Sequence, residues 1–253
     1  MAVQHEVKSQ LAKLLATEDI VVEHKHVETA QFNVDTRVLI LPLWEKASNY
    51  VYDMLVGHEV GHALFTPNVD PPKDVPHQFL NVCEDARIEK LMKRKYLGIA
   101  KSFYRGYNEM HQDDFFELDG EDIDNFNLAD RANLHFKIGS FLPISFSDPE
   151  KEIITLIQNA ETFTDTIAAA EALYNFCKQE QEAKEQVRQE TEGIQSELFQ
   201  NPLQVVIHIL GIVTLIALAI LILPFLTLIA MLLWKVGTVV LIMILGAAIL
   251  MLL

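Results

Sequence analysis

The sequence predicts an α+β fold: a mainly helical domain with a small sheet, followed by C-terminal transmembrane helices. Three observations predict it. Apolar residues recur at helical spacing through much of the first 200 residues, two β-branched runs interrupt them before residue 45, and residues 201–253 are almost uniformly apolar. The chain has 253 residues, with 20 Lys+Arg against 35 Asp+Glu, a net charge of −15. Lys235 is the only charged residue beyond position 200, so the first 200 residues carry −16. That field repels phosphates. The one basic cluster, at 90–95, falls where a helix should end and complements its dipole, so nucleic acid is excluded as a partner. Two cysteines, Cys83 and Cys177, in a chain of this length read as reduced, buried thiols rather than a disulfide framework. The first residues are amphipathic and charged, without an apolar leader, so the soluble part is expected to be cytoplasmic.

The elements follow in order. Val3, Val7, Leu11 and Leu14 predict a helix over 2–16. The stretch 20–27, IVVEHKHV, predicts a strand with His24 and His26 on one face, either as ligands or as the wet side of a sheet. The stretch 37–44, RVLILPLW, predicts a second strand, which Pro42 pushes to a sheet edge. A helix capped by Ser48 or Asn49 runs to about Phe65, where Thr66-Pro67 ends it, and a Pro-rich loop leads to a helix over 77–95. Residues 98–128, rich in Tyr, Phe, Asp and Gly, read as an irregular, functional loop region. Helices at 129–139, 150–159 and 161–199 complete the domain. The last is charged without an apolar stripe beyond Lys178, so residues 178–200 form a solvated stalk after a domain of residues 1–177.

The tail at 201–253 is long enough for about two membrane spans. Residues 203–223 make the first and 225–253 the second, with the turn either near Pro224 or at 234–237. His208 lies inside the first span, near enough to its end to snorkel or to serve a function.

The chemistry sits in residues 56–65, VGHEVGHALF. This is HExxH on a predicted helix. His58 and His62, at i and i+4, lie one turn apart on one face, so both imidazoles can reach one zinc ion. Glu59 stands next to the first ligand, where it can take a proton from a zinc-activated water and pass it to a leaving amine. A third ligand is expected from NVCEDARIE at 81–89. Glu84 is the first choice, Glu89 the second and Asp85 the third. Asp85 and Glu89 share one face and Glu84 and Ile88 another, and only one face can look at the metal. Asp85 could instead orient a ligand histidine, and Arg87 pairs with Glu84 or Asp85 or forms a plain surface pair. Tyr104, Tyr107, His111 and His135 are candidates for stabilising an oxyanion, with packed aromatics and surface histidines as the alternative. Cys83 reads as packing rather than as a nucleophile.

HEVGHALFTP, NVCEDARIEKLMKRKY, FYRGYNEM and LADRANLHFKIG together resemble zinc metallopeptidases of bacteria and tailed phages. These are gluzincin-like proteins that usually continue into a von Willebrand factor A domain and are distantly similar to the large subunit of cobaltochelatase. The resemblance covers roughly residues 1–185. It implies a zincin-like fold, His58 and His62 as zinc ligands, Glu59 as base and an acidic third ligand from 81–89. The Asp following the ligand Glu by four residues in such proteins is absent, because Ile88 fills that place, and no Asp-x-Ser-x-Ser segment follows. The expected function is a membrane-tethered zinc metallopeptidase of endopeptidase type. It would hydrolyse peptide or protein substrates laid antiparallel to the strand at 38–41. The alternative is a non-proteolytic metal-binding assembly module that partners an ATPase or a von Willebrand-type system.

Overall fold

The run at 37–44 does form a strand, and its position in the sheet decides where the cleft opens. In the computed structural model, which describes residues 4–200 and 202–252, three strands pair in the order β1-β3-β2. They are β1 (Val21–Lys25), β2 (Gln31–Asn33) and β3 (Val38–Pro42). β3 is parallel to β1 and antiparallel to β2, with Leu39 opposite both Val22 and Phe32. The expected edge strand is therefore the central one. Pro42 is tolerated because it is the last residue of β3, where its carbonyl accepts from the Tyr52 hydroxyl at 2.7 Å and its missing N–H costs the ladder little. The edge on the cleft side is β2. The chain splits into two compact units, Met1–Ala183 and Lys184–Leu253.

In the first unit, α1 (His5–Ala16) packs on α2 (Asn49–Phe65), the helix that carries the motif. Ser48 caps α2, its hydroxyl accepting from the amides of Tyr50 and Val51. The valines, Leu55 and the glycines of α2 are buried around most of its circumference, so it is a buried central helix rather than an amphipathic surface one. Beside it lie α3 (His77–Lys95) and α4 (Ala100–Gln112). The latter corrects the expected loop: Phe103, Tyr107 and Met110 recur at helical spacing and are buried against α2, while the aromatic and acidic residues after Gln112 remain irregular. Then come α5 (Leu128–Ile138), α6 (Asp148–Asn159) and α7 (Phe163–Gln200).

Two apolar cores result. Sheet, α1, α2 and α4 build the first, around Leu39, Leu41, Val56 and Phe103; α5, α6 and the start of α7 build the second, around Leu128, Ile157 and Leu173. α3 contributes Met92 to the first and Phe79, Leu80 and Cys83 to the second, so its remaining face is held against α2. The basic end of α3 is absorbed structurally. Lys90 and Arg94 pair with Glu161, and Lys90 Nζ also caps the carbonyls of Gln158 and Ala160 at the end of α6.

Gly61 sets the approach of α3. A Cβ there would stand 2.9 Å from Ile88 Cδ1 and 3.1 Å from Met92 Cγ, both on α3. Gly61→Val should overpack this contact, costing about 1–3 kcal/mol in urea unfolding, and should move α3 away from His58 and His62.

In the second unit, the ion pairs of Arg188 with Glu185 and Glu192 run along a solvated helix, as expected for the stalk. α8 (Pro202–Leu252) is a single helix of 51 residues. It turns neither at Pro224 nor at 234–237, so the expected hairpin of two spans is not what it forms. Pro224 removes one hydrogen bond from the ladder, whereas a turn would release several backbone groups in a stretch with few side chains to satisfy them. Val206–Thr227 is the one described segment long and apolar enough to cross a membrane, and none of it is buried.

Candidate metal centre

His58, Glu59 and His62 leave the middle of α2 toward α3, as the HExxH spacing requires. Across from them α3 presents Asp85. The nearest nitrogens of both imidazoles and one Asp85 oxygen lie within 4.8 Å of one another. His58 Nε2 is 3.6 Å and His62 Nε2 3.3 Å from Asp85 Oδ1. Among the described residues this is the only group of three such side chains close enough to share a metal ion. The third choice from sequence thus takes the position expected of the first.

Glu84 points elsewhere. Its carboxylate is buried against the Arg87 guanidinium, whose Nε donates to Oε2 at 2.8 Å. It also accepts from the hydroxyls of Thr66 at 2.6 Å and Thr166 at 3.1 Å. Arg87 in turn reaches the Phe65 carbonyl at 2.9 Å. Glu84 and Arg87 therefore anchor α3 to the end of α2 and the start of α7.

Glu89 and Thr66 orient the two imidazoles. His58 Nδ1 is 3.0 Å from Glu89 Oε1, an acceptor, so this nitrogen carries the proton. His62 Nδ1 is 3.0 Å from Thr66 Oγ1. That hydroxyl spends its only proton on Glu84, so it must accept from His62. Both rings thereby hold a proton on Nδ1 and aim Nε2 at Asp85, which makes Nε2 the atom that a metal would take. Two imidazoles and one carboxylate fit a divalent metal. Glu89 is further tied by the Tyr107 hydroxyl and by Lys93 Nζ at 3.1 Å, and Lys137 Nζ donates to Asp85 Oδ2 at 3.0 Å.

The charges follow from this packing. Burial disfavours a charged His58, but Asp85, Glu89 and Glu59 overcome it and raise its pKa to about 9. A metal would thus displace from His58 a proton that the neighbouring carboxylates favour. Burial pushes Glu59 above the usual carboxylate value against the pull of His58 and His62. Burial also opposes ionisation of Asp85 and Glu89, yet Lys137 and the imidazoles lower the first, and the hydrogen bond from His58 and the charge of Lys93 lower the second.

A cleft of about 710 Å³ opens over these residues. Edge strand β2 and its flanks, including Gln31, Phe32 and Asp35, form one wall, and the loop after α2, from Thr66 to Pro71, forms another. None of the four oxyanion candidates lines it. Tyr107 is buried and committed to Glu89, Tyr104 packs on Phe141 and His135 on Phe136 and Phe146. Lys137, which sequence reasoning missed, does line it. Nothing in LHFKIG marks that lysine, since its partner Asp85 is 52 positions away. His24 is occupied by Ser9 Oγ at 3.0 Å and by the His5 ring, and His26 is exposed. Cys83 and Cys177 are both free thiols, and burial with neighbouring Glu84 and Asp85 pushes Cys83 up to about 12, which makes it unreactive. No protein-family model, curated protein or solved structure matches this chain.

Proposed function

We propose that the protein is a zinc-dependent peptide hydrolase of endopeptidase type, zincin-like in its motif helix and tethered to a membrane through α8. The observation that supports this best is the convergence of His58, His62 and Asp85 with Glu59 buried beside them under an open cleft. Zinc suits this donor set and, when bound, would acidify water and polarise a peptide carbonyl. The chain's own residues do the rest. Edge strand β2 offers backbone groups to an extended peptide, in place of the β3 segment expected from sequence. Glu59, a carboxylate with raised proton affinity in a sheltered position, accepts a proton at its oxygen and returns it to the leaving amine. Glu89 and Thr66 keep both imidazoles in register throughout. The resemblance of the motif segments to bacterial and phage metallopeptidases agrees with this assignment.

Elemental analysis of the detergent-purified full chain should give one zinc per chain, and 1,10-phenanthroline should abolish cleavage of casein. Zinc without any turnover would sink the hydrolase reading and favour the metal-binding assembly module with an ATPase or von Willebrand-type partner. Absence of zinc would sink both.

A further inference from the structure

We propose that the start of α4 and the turn before it form a face that docks on an anionic lipid surface, with Leu97 as its apolar contact. The inference rests on the reading of α8 as a membrane anchor, which would hold the chain at a high local concentration of headgroups.

The segment from Leu97 to Tyr107 divides by side. Ile99, Phe103 and Tyr107 are buried on the side toward α2, whereas Leu97, Lys101, Tyr104 and Arg105, at spacings of three and four, are exposed. Leu97 is 82% exposed, more than any other large apolar side chain described in the first unit. One exposed leucine is ordinary; its setting is not. From Lys90 to Arg105 the chain has six bases and no acid, although its net charge is −15. Lys90 and Arg94 share Glu161, and Lys93 holds Glu89. Arg105 donates to the Tyr50 hydroxyl and lies over its ring. Lys95 and Lys101, both exposed and on either side of Leu97 in sequence, have no ion pair among the described residues. With Glu109 counted beside Glu89 and Glu161, the six bases still exceed the acids twofold. Tyr96 ties this turn to the Leu15 carbonyl at 2.6 Å, and the acids just after α1 are matched, Asp19 by Lys13 and Glu18 by Arg37.

A local surplus can outweigh the acidic whole. Charges are screened beyond about 8 Å at physiological ionic strength, so acids elsewhere on the domain count little at a surface that this face touches. Each Lys or Arg near an anionic leaflet strengthens attachment by about fivefold. An exposed leucine between two such lysines adds apolar area that enters the headgroup boundary as the ammoniums meet phosphate and carboxylate. Acids instead gather beyond the other end of α4, from Glu109 to Asp124, so the attraction favours an approach by the Leu97 end.

The test uses the full chain reconstituted in vesicles, with an environment-sensitive dye on Gly98→Cys in a Cys177→Ala background. Gly98 has open space around it, and the remaining thiol, Cys83, is buried. Lipid carrying a doxyl quencher darkens the dye when the face docks. Quenching should be several-fold stronger in phosphatidylcholine–phosphatidylserine vesicles than in phosphatidylcholine alone, and high salt should remove the difference. The double variant Lys95→Gln/Lys101→Gln should lower the docked-to-free ratio roughly twentyfold, Lys95→Arg/Lys101→Arg should match the parent, and Leu97→Ser should also weaken docking. In a chain that resists extraction by alkaline carbonate, equal quenching in the two vesicle types overturns the proposal and leaves the anchor standing. So does a Gln double variant, or a Leu97→Ser variant, that matches the parent. Release of the chain by alkaline carbonate overturns the anchor reading and this inference together.

Discussion

Glu59→Gln is expected to retain stoichiometric zinc and lose about 10²–10⁴-fold in peptide cleavage, the usual contribution of a positioned general base. The substitution is nearly isosteric, and no hydrogen bond of Glu59 holds the fold together among those described. The positions of His58, His62 and Asp85 do not depend on it, because Glu89, Thr66 and Lys137 hold these side chains. Zinc content and thermal midpoint should therefore match the parent while turnover falls. A Glu59→Gln protein that cleaves casein as fast as the parent would remove Glu59 from the chemistry.

The second large effect separates two neighbouring acids. Asp85→Asn should lower zinc affinity by more than the 10–100-fold typical of losing an orienting partner, because it removes a ligand charge. The ion pair of Asp85 with Lys137 is less buried than that of Glu84 with Arg87, so the metal-free protein should lose less urea stability than the Glu84 variant does. Glu84→Gln should do the opposite. It leaves the buried Arg87 guanidinium without its carboxylate and should cost about 3–5 kcal/mol of stability, while the folded fraction still binds zinc. Chelator competition and urea unfolding on the two variants give a crossed pattern. If Glu84→Gln loses zinc and Asp85→Asn keeps it, the ligand assignment is inverted.

That pair of acids also shows what the sequence could and could not disclose. HExxH sits on a helix, and its two histidines share a face by spacing alone, so both were legible. So were the Ser48 cap, helix 77–95 and a nearby acid from it. Which acid was not legible, since Glu84 and Asp85 differ by about 100° around the helix axis and the rotation of α3 is set by Ile88 and Met92 meeting Gly61. A signal was nevertheless present. Asp85 and Glu89 stand four apart, the spacing expected of a ligand and the partner of a histidine, with the shorter and longer carboxylates exchanged. The sheet order was hidden for a similar reason. Pro42 is compatible with an edge strand and with the last residue of a central one, and what decides between them is that β3 pairs with both β1 and β2, which its own residues do not disclose. α4 was concealed by its aromatic and glycine content, although Phe103, Tyr107 and Met110 kept the helical period.

Thr66 closes α2: its backbone N–H reaches the His62 carbonyl at 3.0 Å, and its hydroxyl links His62 to Glu84. Helix termini ordinarily fray at little cost, but here fraying by a single turn would let a donor ring rotate. Evolutionary drift in length should therefore be confined to the segment after Pro67, which can lengthen or shorten to reshape the mouth of the cleft without disturbing its floor.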